Sequence, residues 1–164
     1  MLVVAGLTAC SPEEKPAGYL DVVPGLALGP LEREVTDASV TLPHLAYDLA
    51  YVEVTGTVDQ GTARRLALGQ EPFASATGEE FVLARLDREE PERTGTGDVT
   101  VTLLAGGLEH DLTEEMAART AQDEILLLVS VPAGSEVQLE LTEGSQTATF
   151  DLRSGELTED GAST

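Results

Sequence analysis

The chain has 164 residues, of which 30 are acidic and nine are basic, so its formal net charge is -21. A surface this acidic repels phosphates, which excludes nucleic acid as a partner and predicts that the folded part is held away from anionic lipid headgroups. The charge does not indicate disorder, because 41% of the residues are hydrophobic and their spacing is periodic.

The chain begins with the apolar run MLVVAGLTA, which ends at its single cysteine, Cys10. Nine residues are far fewer than the roughly 20 that a membrane-spanning helix needs. The composition of residues 1–9 is instead typical of the apolar part of a secretory signal peptide whose charged beginning is missing.

The four residues LTAC, at 7–10, resemble the lipobox of bacterial lipoproteins, in which one aliphatic and two small residues precede a cysteine. In that family the cysteine thiol receives a diacylglyceryl group and the signal peptide is removed just before it. The resemblance implies that Cys10 is lipidated and that diacylglycerol anchors the protein in the cell membrane, on the extracytoplasmic face. The alternative is an ordinary free cysteine, and with one cysteine a disulfide within the chain is impossible.

The polar stretch after Cys10 contains two prolines and a glycine, so residues 10–18 are expected to be a lipidated cysteine with a flexible tether. Fully extended, residues 11–18 span at most about 25–30 Å. We expect one β-domain over residues 19–155 and a polar, frayed tail over residues 156–164.

Alternating apolar and polar residues dominate the domain and predict strands with one buried face. The clearest segments are AYVEVTGTV, DVTVTLL, and the pair EVQLELTE and QTATFDL, which flank a Gly144-Ser145 turn and predict a hairpin. In DVTVTLL the threonines Thr100 and Thr102 point away from the core, and in QTATFDL so do Thr147 and Thr149. EFVLARL and EILLLVSVP are apolar at consecutive positions, which predicts central strands covered on both sides. YLDVVPG and ASVTLP predict weaker strands, and LTEEMAART predicts a helix of about two turns.

About seven to nine short strands separated by turns predict an all-β fold, an immunoglobulin-like antiparallel β-sandwich with at most one short helix. From ATGEEFVLARLD to the VPAG turn and the last hairpin, the chain resembles an uncharacterised family of secreted immunoglobulin-like domains of Gram-positive bacteria. That resemblance covers about half of the chain and implies a sandwich in the cell envelope. It supplies no catalytic residues.

No motif in the sequence indicates catalysis, so we predict a protein that is not an enzyme and has no cofactor. There is no Gly-x-Ser-x-Gly turn, and the only histidines are His44 and His110. His110 lies between Glu109 and Asp111, but successive residues of a strand point to opposite faces and do not converge. Two histidines are too few for a zinc site.

Calcium needs only oxygen ligands, and the chain has several acidic clusters. None of the clusters follows the spacing of an EF-hand loop. They are the run Asp87 to Glu92, Glu109 with Asp111, Glu114 with Glu115, and Asp123 with Glu124. Charge runs usually form solvated loops, so calcium binding is the alternative and not the main prediction.

The outward face of AYVEVTGTV is the candidate partner-binding face, with Tyr51, Thr55 and Thr57 around a single acid, Glu53. On so acidic a chain, a protein partner can dock on such a strip without desolvating many carboxylates. The alternative is a plain solvent-facing strand. We therefore predict a membrane-anchored, non-enzymatic binding or scaffolding module whose partner is an envelope or secreted protein. An extracytoplasmic solute-binding or cation-binding protein is the alternative function.

Overall fold

The computed structural model describes residues 11–24, 38–42, 46–88, 99–118 and 124–160. The predictions for residues 1–9, Cys10 and His44, and for most of the acidic run after Asp87, lie outside these ranges. The elements within them are, in chain order, β1 (Glu13–Glu14), β2 (Leu20–Pro24), β3 (Ser39–Thr41), β4 (Ala46–Thr55), β5 (Thr57–Val58), α1 (Gln60–Arg65), β6 (Phe73–Ala74), β7 (Glu79–Arg88), β8 (Val99–Ala105), β9 (Leu108–Asp111), α2 (Thr113–Ala118), β10 (Glu124–Pro132), β11 (Val137–Glu143), β12 (Gln146–Asp151) and β13 (Leu157–Asp160).

Two five-stranded sheets form a sandwich. The first sheet has the strand order β2-β10-β7-β4-β3, the second has the order β13-β12-β11-β8-β9, and every pair in them is antiparallel. One hydrophobic core contains side chains from both sheets. The predicted all-β sandwich is confirmed.

The core between the two sheets follows the predicted alternation. Leu139 on β11 lies opposite Leu103 on one side and Phe150 on the other, and all three side chains are fully buried. Burial of one such side chain stabilises the fold by about 1.5–3 kcal/mol. The predicted hairpin around Gly144 joins β11 to β12, with Glu143 opposite Gln146.

A third layer covers the other face of the first sheet. We name it the cap layer and define it as residues 11–19 and 56–76, which include α1 and the small sheet β1-β6-β5. Its apolar core joins buried side chains of the first sheet to side chains of the cap layer: Tyr51, Val58, Ala63, Leu66, Phe73, Phe81, Leu83, Leu126 and Leu128. The prediction that EFVLARL and EILLLVSVP are covered on both sides is confirmed.

The described part of the chain has one more helix than predicted. Asp59 caps α1, because its Oδ1 accepts the backbone N–H of Thr62 at 2.9 Å, and this bond lowers the pKa of Asp59. A six-residue helix containing a glycine has too little periodicity to be recognised from the sequence. Neither of the two described helices is long and apolar enough to cross a membrane.

The predicted helix is α2, and Thr113 is its first residue. The Thr113 backbone N–H donates to Asp111 Oδ1 at 2.9 Å, and Thr113 Oγ1 accepts the N–H of Val101 on β8 at 3.0 Å. The helix is thereby fixed to the second sheet, and its Met116 is buried in the core between the sheets.

The folded part extends beyond both of the expected boundaries. Glu13 and Glu14 of the expected flexible tether form β1, which pairs with β6 in the cap layer. Leu157–Asp160 of the expected frayed tail form β13, which pairs with β12. Backbone pairing at both ends makes them edges of sheets.

A polar cluster joins the two sheets at one end of the sandwich. Glu80 on β7 of the first sheet accepts a hydrogen bond from the backbone N–H of Gly134 at 2.8 Å and one from Arg153 at 2.5 Å. Arg153 follows β12 of the second sheet and also donates to the carbonyl oxygen of Ser135. The Gly134 hydrogen bond and, next, the Arg153 guanidinium hold the pKa of Glu80 below its ordinary value of 4.5.

We predict that Glu80→Gln removes a pH-dependent part of the stability. A carboxylate whose pKa is lowered by folding stabilises the protein above its unfolded-state pKa, near 4.5, and this contribution is lost as the pH falls through the folded-state pKa. Urea unfolding should therefore show a loss of stability at pH 7 that shrinks steadily below about pH 4.5. Glu136→Gln, at an exposed position, is the control. An effect of Glu80→Gln that is the same at every pH would contradict the prediction.

Candidate functional site

Tyr51, the centre of the predicted partner-binding face, is 3% exposed. A bulge at Ala50 shifts the register of β4 against β7, so Leu49 packs between the two sheets and Tyr51 points to the other side. The predicted direction of Tyr51, away from the sandwich core, is correct. The prediction that this side faces solvent is wrong, because the cap layer covers it.

The other three residues of the predicted face lie where β4 leads into the cap layer. Glu53 accepts a hydrogen bond from the Tyr51 hydroxyl. Thr55 Oγ1 donates to the carbonyl oxygen of Thr57 at 2.9 Å and accepts its N–H at 3.3 Å. Glu53 and Thr55 are half-buried and Thr57 is exposed. The four residues therefore do not form a continuous exposed strip.

A cluster of threonines lies instead at the centre of the outer side of the second sheet. We name it the threonine face; its seven members are Thr100, Thr102, Glu140, Thr142, Thr147, Thr149 and Thr158. Each member is half-buried or exposed. Glu140 is the one acidic residue among the seven, and Asp111, Asp151 and Asp160 border them on the same side of the sheet.

The threonines form two rows across neighbouring strands. In one row Thr102, Glu140, Thr149 and Thr158 lie opposite one another in that order. In the other row the residues that lie opposite one another are, in order, Thr100, Thr142, Thr147 and Asp160. Thr142 Oγ1 and Thr147 Oγ1 are 3.1 Å apart and share a hydrogen bond. With strands about 4.8 Å apart, a row of four spans about 14 Å.

The threonine face continues to the edge strand β9. On its outer side, Glu109 and Asp111 lie opposite Leu104 and Thr102 of β8. Leu108, in the same strand, lies opposite Ala105 and so on the other side of the sheet; it is 62% exposed and is the exposed large hydrophobic residue of the described ranges. His110 lies opposite Leu103, so it points to the other side of the sheet from Glu109 and Asp111, as the sequence predicted.

Backbone hydrogen bonds attach the segment after Cys10 to the cap layer. Glu13 lies opposite Phe73 in a parallel pair, and the N–H of Lys15 donates to the carbonyl oxygen of Ala74 at 2.8 Å. These bonds correct the expected flexible tether, since the segment is fixed from its third residue after Cys10.

Glu79 holds the far end of the same segment. Its Oε2 accepts the N–H of Gly18 at 3.1 Å and the hydroxyl of Ser130, a buried residue of β10, at 2.7 Å. The carbonyl oxygen of Tyr19 accepts the Ser130 N–H at 2.7 Å. The segment between β1 and β2 is therefore tied to two strands of the first sheet.

The Lys15 ammonium lies between two aromatic rings. Its Nζ is 5.3 Å from the centre of the Tyr19 ring, 5.2 Å from that of Phe73, and 3.3 Å from Glu13 Oε1. A cation at such a distance from an aromatic face gains about 0.5–1 kcal/mol at an exposed site. Lys15 is the only lysine of the chain.

A row of acids crosses the first sheet on its cap-layer side. Asp87 lies opposite Asp48 on one side and Glu124 on the other, and Arg85 Nε is 2.9 Å from Asp87 Oδ1. Burial raises the pKa of Asp87, against the lowering effect of Arg85, and Asp48 raises it further. Within the described ranges, no three His, Cys, Asp or Glu side chains gather so as to hold a metal ion. Calcium binding stays a prediction without a described set of ligands.

We predict that Tyr51→Ala destabilises the protein by about 3–5 kcal/mol, as for other large aromatic side chains removed from a core. Thr57→Ala, at an exposed position of the same predicted face, should change the stability by less than about 0.5 kcal/mol. Chemical denaturation of the two variants measures both effects. Equal, small effects would show that the cap layer does not pack on Tyr51.

No protein-family model, curated protein or solved structure matches the chain.

Proposed function

We propose that this protein is a lipid-anchored binding module of the bacterial cell envelope, without enzymatic activity, which docks a protein partner on the threonine face. The observation that carries the proposal is the two-row threonine array on the outer side of the second sheet. The anchor is diacylglycerol on Cys10, on the extracytoplasmic face of the membrane, and it is argued from the lipobox-like LTAC.

The threonine face has the physical properties of a docking surface. Threonine is β-branched, so its side chain is already restricted in a strand and loses little freedom on binding. Each hydroxyl both donates and accepts hydrogen bonds, which lets the face pair with backbone or polar groups of a partner. Glu140 is the only carboxylate among its seven members, so the centre of an interface desolvates one charge, and the acids Glu109, Asp111, Asp151 and Asp160 lie at the border of the face.

A protein partner fits the size of this surface better than a small solute does. A stable protein interface buries about 800 Å² on each side. The two threonine rows cover only the centre of such an area, and the adjoining Leu104 and Gln138, which lie opposite each other on the same side of the sheet, extend it. A small solute would need a concave pocket, and the threonine face is the open outer side of a sheet.

The anchor is tested by Cys10→Ala in cells that produce the full chain. We expect the variant to lose lipid labelling and to leave the membrane fraction, because a diacylglyceryl group supplies the two acyl chains that stable anchoring needs. Cys10→Ser is the matched control and should behave in the same way. A variant that still carries label and stays with the membrane would contradict lipidation at Cys10.

The docking face is tested by Thr102→Lys with Thr149→Lys, which places two large cations in one row of the face. A photo-reactive residue at Gln138 first identifies the partner in intact cells, and the purified partner is then titrated against each variant. We expect at least about tenfold weaker binding, because each lysine disrupts the close packing of the interface core. The change in stability should stay within about 1 kcal/mol.

The control for the docking experiment is Thr57→Lys with Thr77→Lys, which adds the same charge at two exposed positions, one in the cap layer and one just after it. Its affinity should lie within about twofold of the unmodified chain. If the two double variants weaken binding equally, the partner responds to overall charge and the threonine face is not its docking site.

A further inference from the structure

We infer that the cap layer faces the bilayer, and that Arg64 and Arg65 on α1 contact anionic lipid headgroups. The inference rests on the proposed anchor at Cys10 and adds an orientation and a lipid partner to it. Two independent observations support it: the attachment of residues 13–19 to the cap layer, and the distribution of basic residues.

The attachment of β1 shortens the distance between anchor and domain. Only Ser11 and Pro12 separate Cys10 from Glu13, which is paired with Phe73. Three residue steps cover at most about 11 Å, whereas a free segment from 11 to 18 would cover about 25–30 Å. The cap layer is therefore the part of the domain that the anchor holds at the membrane.

The cap layer is also nearly neutral. It carries three of the nine basic residues of the chain, Lys15, Arg64 and Arg65, and four of the 30 acidic ones. The acids are Glu13, Glu14, Asp59 and Glu71. The rest of the chain keeps 26 acidic and six basic residues. An anionic bilayer repels this remainder much more strongly than it repels the cap layer.

Arg64 and Arg65 are exposed, while their neighbours Ala63 and Leu66 are buried against the first sheet. Arg65 adds a small part to the lowering of the Asp59 pKa, and Asp59 already caps α1 through Thr62. The other two arginines with described side chains, Arg85 and Arg153, are in ion pairs with Asp87 and Glu80. The arginine pair of α1 is thus the exposed basic pair of the described ranges.

The short link from Cys10 to β1 and the positive charge of Arg64 and Arg65 act together. An arginine close to an anionic leaflet strengthens association about fivefold, and the effect disappears beyond a Debye length of about 8–10 Å. A flexible tether would let the acidic domain move out of that range. The short link through β1 keeps the arginine pair near it.

The experiment couples the full chain through the Cys10 thiol to a maleimide lipid in vesicles, which replaces cellular lipidation. The chain has no tryptophan, so Gln70→Trp reports on the cap layer and Leu108→Trp reports on β9 of the second sheet. A quencher on the lipid headgroups measures how close each reporter lies to the membrane. We expect Gln70→Trp to be quenched more strongly than Leu108→Trp, and more in phosphatidylglycerol vesicles than in phosphatidylcholine vesicles.

Arg64→Gln with Arg65→Gln should remove the increase that phosphatidylglycerol causes. The matched variant, Thr100→Glu with Thr158→Glu, changes the net charge by the same amount on the threonine face and should leave the increase unchanged. Equal quenching of the two reporters would overturn the orientation. Equal loss in the two charge variants, or loss in neither, would overturn the role of the arginine pair.

Chemical coupling separates this inference from the proposed anchor. If Cys10→Ala stays in the membrane fraction of cells, the lipidation proposal fails whatever the vesicles show. If Cys10→Ala is released but the two reporters are quenched equally, the anchor stands and the orientation fails.

Discussion

The first sheet is buried on both of its faces, and the other features of the molecule depend on this constraint. A strand with apolar side chains on both sides, such as β10, needs a second layer on each side to keep them from water. The second sheet supplies one layer and the cap layer supplies the other. To build the cap layer, the chain inserts β5, α1 and β6 between the paired strands β4 and β7, and adds β1 from the segment that follows Cys10.

The sequence predicts the sandwich because its signals are local. Three such signals predict what the structure shows. They are the alternation around Leu139 and Phe150, the turn at Gly144, and the apolar side chains on both faces of β10. The bulge at Ala50 lies before Tyr51, so the alternation from Tyr51 to Thr55 is kept, and the sequence correctly predicts which way Tyr51 points. What covers Tyr51 depends on α1 and β6, which are too short to leave a periodic pattern.

For the candidate site too, the sequence predicts the local features and misses those that depend on long-range pairing. The outward direction of Thr100, Thr102, Thr147 and Thr149 is read from alternation along single strands. Their assembly into rows depends on the register between β8, β11, β12 and β13, which is set by long-range pairing. The attachment of β1 has no local signal, because a proline-containing polar segment is typical of a linker and its pairing with Phe73 is non-local.

The single lysine has a consequence for chemical modification of the protein. Lys15 is the only side-chain amine, 23% of its side chain is exposed, and it lies against the cap layer five positions after Cys10. Amine-reactive reagents therefore have one side-chain target, far from the threonine face, since the two sheets of the sandwich lie between them. Immobilisation through this amine would leave the threonine face open to solution. Amine-to-amine cross-linkers would miss a partner bound there, and reagents that activate carboxylates have Glu140 within the face as a target.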